Sequence, residues 1–531
     1  MAIFLSEGLQ GDEAESVGGG RAPFQGDEEF GLARGPEPGL IAWQRRGWMS
    51  LPPGLTQQQR RSPLGGALQR QLSAALGGQI GWSGSHLQIL EGSQCVRPYN
   101  TPNRPLSQRG TPVAAASPST FVVLLVTLAV WISGWWRISS EDRAEARPRG
   151  KVVLTDAARK LHAEALVIDG HNDLPFRYRM QNDLALKVHD LRQPQKDFHT
   201  DIPRLRAGGL GAQFWSAFVP SSSAKKGTAV RETLEQIDVI HRLVAAYPDV
   251  FAMAGTAAEV VRVRAEGKIA SLIGVEGGHS IDNSLAVLRT YYALGVRYLT
   301  LTHSENVDWA DSATDQPRLK GLSPFGEEVV REMNRLGMLV DISHVSPEVM
   351  KHVLRITRAP VIASHSSAYA LAPHPRNVPD EVLRLVKDNG GVIMVNFYSG
   401  FIVPEGARAM QQMFRVGREL RQRYSNDTEF HTAMSQWMKE NPFPRGSIHT
   451  LVDHIDHIVK VAGVEHVGLG SDYDGIATVP EQLEDVSCYP LITQELLNRG
   501  YDREAILKIL GGNVLRAMQQ AEAVARGGGA K

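Results

Sequence analysis

From about Lys151 onward the chain repeats one pattern: a short apolar run rich in β-branched residues, followed by a stretch with helical spacing. Eight such runs stand at 165–170 (ALVIDG), 212–219 (AQFWSAFV), 269–276 (IASLIGVE), 296–303 (VRYLTLTH), 339–344 (LVDISH), 361–365 (VIASH), 392–397 (VIMVNF) and 467–472 (VGLGSD). Runs of this kind predict strands, and amphipathic segments such as 324–336 and 379–388 predict the helices between them. Alternation of strand and helix implies right-handed crossovers and a parallel sheet. Eight units favour an α/β fold closed as a (β/α)8 TIM barrel over an open doubly wound sheet. No glycine-rich phosphate loop follows the first run, which weakens a nucleotide-binding reading. The stretch 401–450 is too long for an ordinary connection and reads as an inserted helical lid or dimer element. Near the end, 505–510 followed by Gly511, Gly512 and Asn513 reads as a helix stop and a new start capped by Asn513.

The barrel is expected over 151–531, and what precedes it has a different composition. Residues 1–120 are dominated by Gly, Pro, Gln, Ser and Arg without a sustained period, and read as a low-complexity, disordered tail. Residues 121–136 (FVVLLVTLAVWISGWW) carry no charge and form a membrane or signal-like segment, with 137–150 as a linker. A spanning helix needs about 17 to 25 apolar residues, so the run is slightly short for an anchor and somewhat long for a signal core. The expectation is membrane association through this one segment. A downstream start, for instance at Met49, would instead give an exported or cytoplasmic soluble enzyme. By the positive-inside rule alone, the five basic residues between Arg137 and Lys151 place the following domain in the cytoplasm.

Charge and cysteine content exclude several classes of function. With 57 basic and 57 acidic residues the formal charge is zero, so nothing warrants a nucleic-acid partner or a polybasic membrane patch. Two cysteines, Cys95 and Cys488, make neither a disulfide framework nor a thiolate metal cluster. Histidine is the richer resource: of 17, only His86 precedes residue 160.

The placement of metal-capable side chains then points to chemistry. His171 and Asp173 follow the first run, and Glu276, His303, His344, His365 and Asp472 each end a later one. In a closed barrel all C-terminal strand ends meet at one mouth. In an extended segment residues i and i+2 point the same way, so His171 and Asp173 can grip one ion. Any one of these histidines has an ordinary explanation as a hydrogen-bonded core residue. Several at equivalent strand ends strain that explanation, and a buried Glu276 needs a partner for its charge. Imidazoles and carboxylates without thiolates suit zinc, with cobalt or manganese as substitutes. Five ligands sharing one carboxylate suggest two ions about 3.5 to 4 Å apart, an arrangement that activates water for hydrolysis.

At this point the residues resemble a known family. IDGHNDLP, GVEGGHSI, LTLTHSENVDWADS, LVDISHVS, ASHSSA, HPRNVPDE and HIDHIVKVAGVEHVGLGSDYDGI look like the successive motifs of the membrane (renal-type) dipeptidases, binuclear zinc peptidases on an amidohydrolase-like barrel. The likeness runs from about Thr155 to Met518. It implies that His171 and Asp173 hold one zinc, that His344 and His365 hold the other, and that Glu276 bridges the two. It implies further that His303 contacts the substrate carbonyl, that Arg376 binds the terminal carboxylate, and that Asp472 moves the proton. The catalytic set is then Asp472, His303 and Glu276, and the substrate-binding set His303, Arg376 and Asp472. The implied reaction is zinc-dependent hydrolysis of dipeptides by a metal-bridging hydroxide, with C-terminal D-residues tolerated. An arginine fork suits a carboxylate on geometry alone. Asp474 reads as stabilising the turn after Asp472. Glu305 stands where the family's animal members commonly have a cysteine, so their disulfide is not expected. The competing readings are an N-acyl amino acid deacylase or lactonase on the same mouth, and a noncatalytic membrane-tethered binding protein.

Overall fold

A computed structural model describes residues 149–527, apart from Ser425. The tail (1–120), the apolar segment (121–136), most of the linker and Cys95 lie outside the described residues. Among the described residues no helix is long and apolar enough to cross a membrane.

All nine strands are parallel: β1 (Val167–Asn172), β2 (Leu210–Phe218), β3 (Phe251–Met253), β4 (Ile269–Glu276), β5 (Val296–Thr300), β6 (Leu339–Asp341), β7 (Ile362–Ala363), β8 (Val392–Val395) and β9 (Val467–Leu469). Pairing runs β1–β2–β4–β5–β6–β7–β8–β9 and returns from β9 to β1 at Asp169↔Leu469, so eight strands close a barrel. Each of the eight predicted runs supplies one barrel strand. The strand not predicted, β3, pairs with Ile269–Ser271 of β4, the stretch that β5 does not reach because its own register begins at Ile273.

Both faces of the strands are buried, and the pleat divides their side chains between two apolar clusters. Ile168, Phe214, Leu272, Tyr298 and Met394 belong to one cluster, and Val167, Trp215, Ile273, Leu299 and Val395 to the other. Tyr298 on β5 touches His171 on β1, a strand that β5 does not pair with, so the first set fills the barrel interior. Helices flank the strands and start on local signals. Ser323 and Ser346 accept from the backbone N–H three residues on and stand before Pro324 and Pro347, whose fixed φ suits a first helical turn.

The insertion is helical as expected, with helices at Ser399–Ile402, Pro404–Arg423 and Asp427–Glu440. Met410, Met413, Phe430 and Met434 bury its apolar side. The C-terminal expectation holds for the break and needs correction for the cap. Helix Arg503–Leu507 runs into Lys508–Gly512, where Gly511 (φ 175°, ψ −20°) leaves helical geometry and kinks the path into helix Asn513–Ala525. Asn513 is no cap, because its amide donates to Val464 O (2.7 Å) and Val467 O (2.8 Å) beneath β9. At the other end, residues 149–155 clasp the barrel. The Gln482 side chain exchanges two 2.8 Å hydrogen bonds with the Val152 backbone, and Arg149 makes a two-pronged contact with Asp453.

Candidate active site

Every strand-end residue singled out in the sequence lies at one mouth, around Glu276. Its Oε2 is 3.5 Å from His171 Nε2, which in turn is 3.2 Å from Asp173 Oδ2. Its Oε1 is 3.1 Å from His344 Nε2, 3.3 Å from His365 Nε2 and 4.0 Å from His303 Nε2. Each carboxylate oxygen therefore has its own nearest nitrogens, His171 at Oε2 and His344 and His365 at Oε1, with His365 also close to His171. Arg376 and Asp472 line the same pocket, with Tyr398, Phe401, Gly475 and Ile476.

These donors fit metal ions. Three groups, His171/Glu276/His365, Glu276/His303/His344 and His171/Asp173/Asp472, each bring their ligand atoms within 4.8 Å of one another. Among the described residues, His171 Nε2 and Asp173 Oδ1 are buried without hydrogen-bond partners, although they face other donors. Burial opposes a charge on His171, yet Tyr298, Glu276 and Asp173 outweigh it and hold its pKa well above the ordinary value. Burial would likewise raise Glu276, but His171, His303 and His344 hold it well below the carboxylate range. So much negative charge around unpaired nitrogens is a demand that cations meet.

The tautomer of His171 follows from its neighbours. Tyr298 donates its hydroxyl hydrogen to Gly170 O (3.2 Å) and so accepts from His171 Nδ1 (2.8 Å), leaving the Nε2 lone pair for the site. The Tyr298 ring fits only because residue 274 on β4 is glycine. A Cβ there would lie 1.9 Å from Tyr298 Cζ. Similarly, a Cβ on Gly475 would sit 2.2 Å from Asp173 Oδ2 and 2.8 Å from Asp472 Oδ1.

Backbone strain is concentrated here as well. His344 (φ 66°), Asp472 (φ 64°) and Asp474 (φ 67°) are non-glycine residues in the left-handed region. Asp472 accepts from Asn396 Nδ2 through Oδ2 (2.9 Å). Burial first, then the charges of Asp173 and Glu276, push its carboxyl up to about 7 against the opposing pull of His171. Arg376 is buried, and burial lowers its pKa to about 10. Nη1 donates to Ser366 Oγ and Nη2 to His365 O, both at 3.2 Å, while Nε finds no partner among the described residues. His303 stacks on His344 with ring centroids 4.4 Å apart and bonds Ser304 through Nδ1 (2.8 Å).

One reading of a neighbouring residue changes, and a second residue gains a partner. Asp474 does not close its own turn; it reaches across to accept from His199 N at 2.7 Å. Glu305 forms an exposed ion pair with Lys225 at 2.9 Å, joining the loops after β5 and β2. Sequence reasoning missed Tyr298, Asn396, Asp341 and Ser364, which hold the site from behind, and Tyr398, Phe401 and Ile476, which line it. An acid two residues before a strand-end histidine or serine, as in Asp169-Gly-His171 and Asp341-Ile-Ser343, was the signal available for part of that support.

The chain is similar to known proteins over its barrel. Residues 155–530 match the family described as membrane dipeptidase, peptidase family M19. Dipeptidase 3 of Mus musculus is 40% identical over 381 residues, covering 70% of this chain and 67% of that protein. Dipeptidase aclJ of Aspergillus oryzae is 42% identical over 371 residues, covering 67% of this chain and 78% of its own length. Among solved structures, the probable dipeptidase PvdM from Pseudomonas aeruginosa superposes with a TM-score of 0.61 at 26% identity, over 70% of this chain and 98% of that one. The barrel with its mouth of histidines and carboxylates thus belongs to the membrane dipeptidase family, peptidase family M19, and the chain is a metallo-dipeptidase by class.

Proposed function

We propose that the chain hydrolyses dipeptides with two zinc ions, His171 and Asp173 holding one, His344 and His365 the other, and Glu276 shared between them. The observation that carries this reading is the two-sided environment of Glu276, with His171 and Asp173 on the Oε2 side and His344 and His365 nearest Oε1. Bound there, the ions supply a water of lowered pKa and polarise the scissile carbonyl. The protein's own groups do the rest. Arg376 receives the substrate's terminal carboxylate in a fork geometry, which explains a need for a free C-terminus. His303 steadies the carbonyl oxygen as charge grows on it. Asp472, with one oxygen held by Asn396, takes a proton from water and returns it to the leaving amine. No side chain of the protein is the nucleophile, so the configuration of the C-terminal residue is only weakly selected and D-residues are accepted.

The test is hydrolysis of a dipeptide panel that includes Gly-D-Ala, with chelator and zinc add-back controls. Loss on chelation and recovery with zinc are expected. Good turnover of N-acyl amino acids with almost none of free dipeptides would replace this reading by a deacylase. The segment 121–136 is proposed as a membrane tether, and the insertion at 401–450 as a lid or a surface for a second copy. Recovery of the full chain in the soluble fraction without detergent would remove the tether, and a monomeric mass in solution would remove the dimer.

A further inference from the structure

One hydrogen-bond motif occurs twice behind the site. On β1, Asp169 Oδ1 accepts from His171 N (3.3 Å) and from Ser471 N (2.7 Å), and its Oδ2 accepts from Ser471 Oγ (2.6 Å). At the end of β6, Asp341 Oδ1 accepts from Ser343 N (3.0 Å) and from Ser364 N (2.8 Å), and its Oδ2 accepts from Ser364 Oγ (2.6 Å). In each copy a buried aspartate staples its own strand to a serine on the neighbouring strand segment. The residue after that serine belongs to the site in both copies: Asp472 lines the pocket, and His365 faces Glu276 at 3.3 Å. The copies differ in what the serine oxygen receives. Ser471 Oγ takes the Tyr473 N–H (3.2 Å), whereas Ser364 Oγ lies 2.8 Å from His365 Nδ1.

That difference fixes a proton. Asp341 is fully buried, and four groups donate to it: the Ser343 and Ser364 amides, the Ser364 hydroxyl and the Thr300 hydroxyl. Ser364 donates to Asp341 at 2.6 Å, its other acceptor, Ser343 Oγ, lying 3.5 Å away, which leaves the Ser364 oxygen to accept from His365 Nδ1. His365 then carries its proton on Nδ1 and presents a lone pair at Nε2, 3.3 Å from Glu276 Oε1 and 3.0 Å from His344 Nε2. We propose that Asp341, acting through Ser364, is a positioning residue that sets the tautomer of His365 before any metal arrives. Asp169 is its structural counterpart without this role.

Substitution makes the relay reverse. In Asp341→Asn the backbone N–H groups of Ser343 and Ser364 demand an acceptor at the Oδ1 position, so the amide oxygen settles there. The NH2 group then faces Ser364 Oγ and donates to it. The serine hydrogen turns to His365 Nδ1, and the imidazole proton moves to Nε2, against the site.

The experiment uses the full chain freed of metal by chelation, with its fold checked by circular dichroism. Imidazole 15N shifts report the tautomer, His365 being identified by the signal missing from His365→Asn. Nδ1–H is expected in the native protein, in Asp169→Asn and in Ser364→Thr, and Nε2–H in Asp341→Asn. Zinc affinity should fall tenfold to a hundredfold in Asp341→Asn. If Asp341→Asn does not fold, Ser364→Ala takes its place, with mixed tautomers and weaker zinc binding than Ser364→Thr expected. Nε2–H in the native protein, Nδ1–H retained in Asp341→Asn, or a Ser364→Ala variant matching the native tautomer and zinc affinity overturns the proposal. None of these readings uses a peptide, so failure of dipeptide hydrolysis and failure of this inference are separable.

Discussion

A guanidinium that is 1% exposed must have a reason to be inside, and among the described residues no carboxylate pairs with Arg376 directly, although the charges of Asp472, Glu276 and Asp341 favour it. Ser366 and the His365 carbonyl hold two of its nitrogens and leave its charge facing the pocket. A lysine keeps the charge but not the fork, so Arg376→Lys should lower kcat/KM for dipeptides by about two orders of magnitude, about 3 kcal/mol of lost transition-state binding. Steady-state kinetics should place most of that loss in KM, and an unchanged KM would deny Arg376 the clamp. At this scale the sequence was informative wherever a functional residue ended an apolar run. Residues 171, 173, 276, 303, 344, 365 and 472 all do so or follow one closely. Tyr298, Asn396 and Ser364 gave no such sign. Their work depends on partners 127, 76 and 23 positions away, and no local spacing encodes those contacts.

Whole elements carry constraints that no single site residue shows. β4 must deliver Glu276 to the mouth and also leave room for the Tyr298 ring crossing the barrel, which is why IASLIGVE contains a glycine between branched residues. Gly274→Ala should cost about 1 to 3 kcal/mol of stability by overpacking and weaken zinc retention through His171. Denaturant unfolding and metal analysis check the two effects separately. Helix Ile448–Ala462 offers a pH test away from the metal ligands. His454 accepts from Ala368 N (3.0 Å), so its Nε2–H donates to Ile402 O (2.9 Å), and burial lowers its pKa to about 4. In the unfolded chain the imidazole takes its proton near 6.5. The unfolded state thus binds more protons between these values, and the stability contribution, about 3 kcal/mol when fully present, holds above pH 6.5 and fades as pH falls toward 4. His454→Gln should flatten that part of the stability profile, measured by urea unfolding at pH 7 and pH 5. Element prediction worked for the eight runs because each is long enough to show a period. It failed for β3, whose three residues show none, whereas the glycines at 508–512 do mark a kink between two helices, at Gly511.

Over the whole molecule the site is a product of closure. Its donors come from strand ends distributed around the barrel, and three of its carboxylates, Asp173, Glu276 and Asp472, converge in one pocket. Removing metal should therefore lower the thermal midpoint as well as the activity, and zinc should restore both. Zinc at about a thousand times its Kd would be worth about 4 kcal/mol. Calorimetry of chelated and reloaded protein measures this, and an unchanged midpoint would mean that the cations are not part of the folded structure. The final seam is the one between β9 and β1, made by Asp169↔Leu469 and braced by Asp169 on Ser471. It joins segments 300 residues apart, so it is among the slowest contacts a chain like this can make. Asp472 stands beside His171 only across that seam. Closing the barrel thus also assembles the site: until β9 meets β1, Asp472 has no place beside His171 and Asp173.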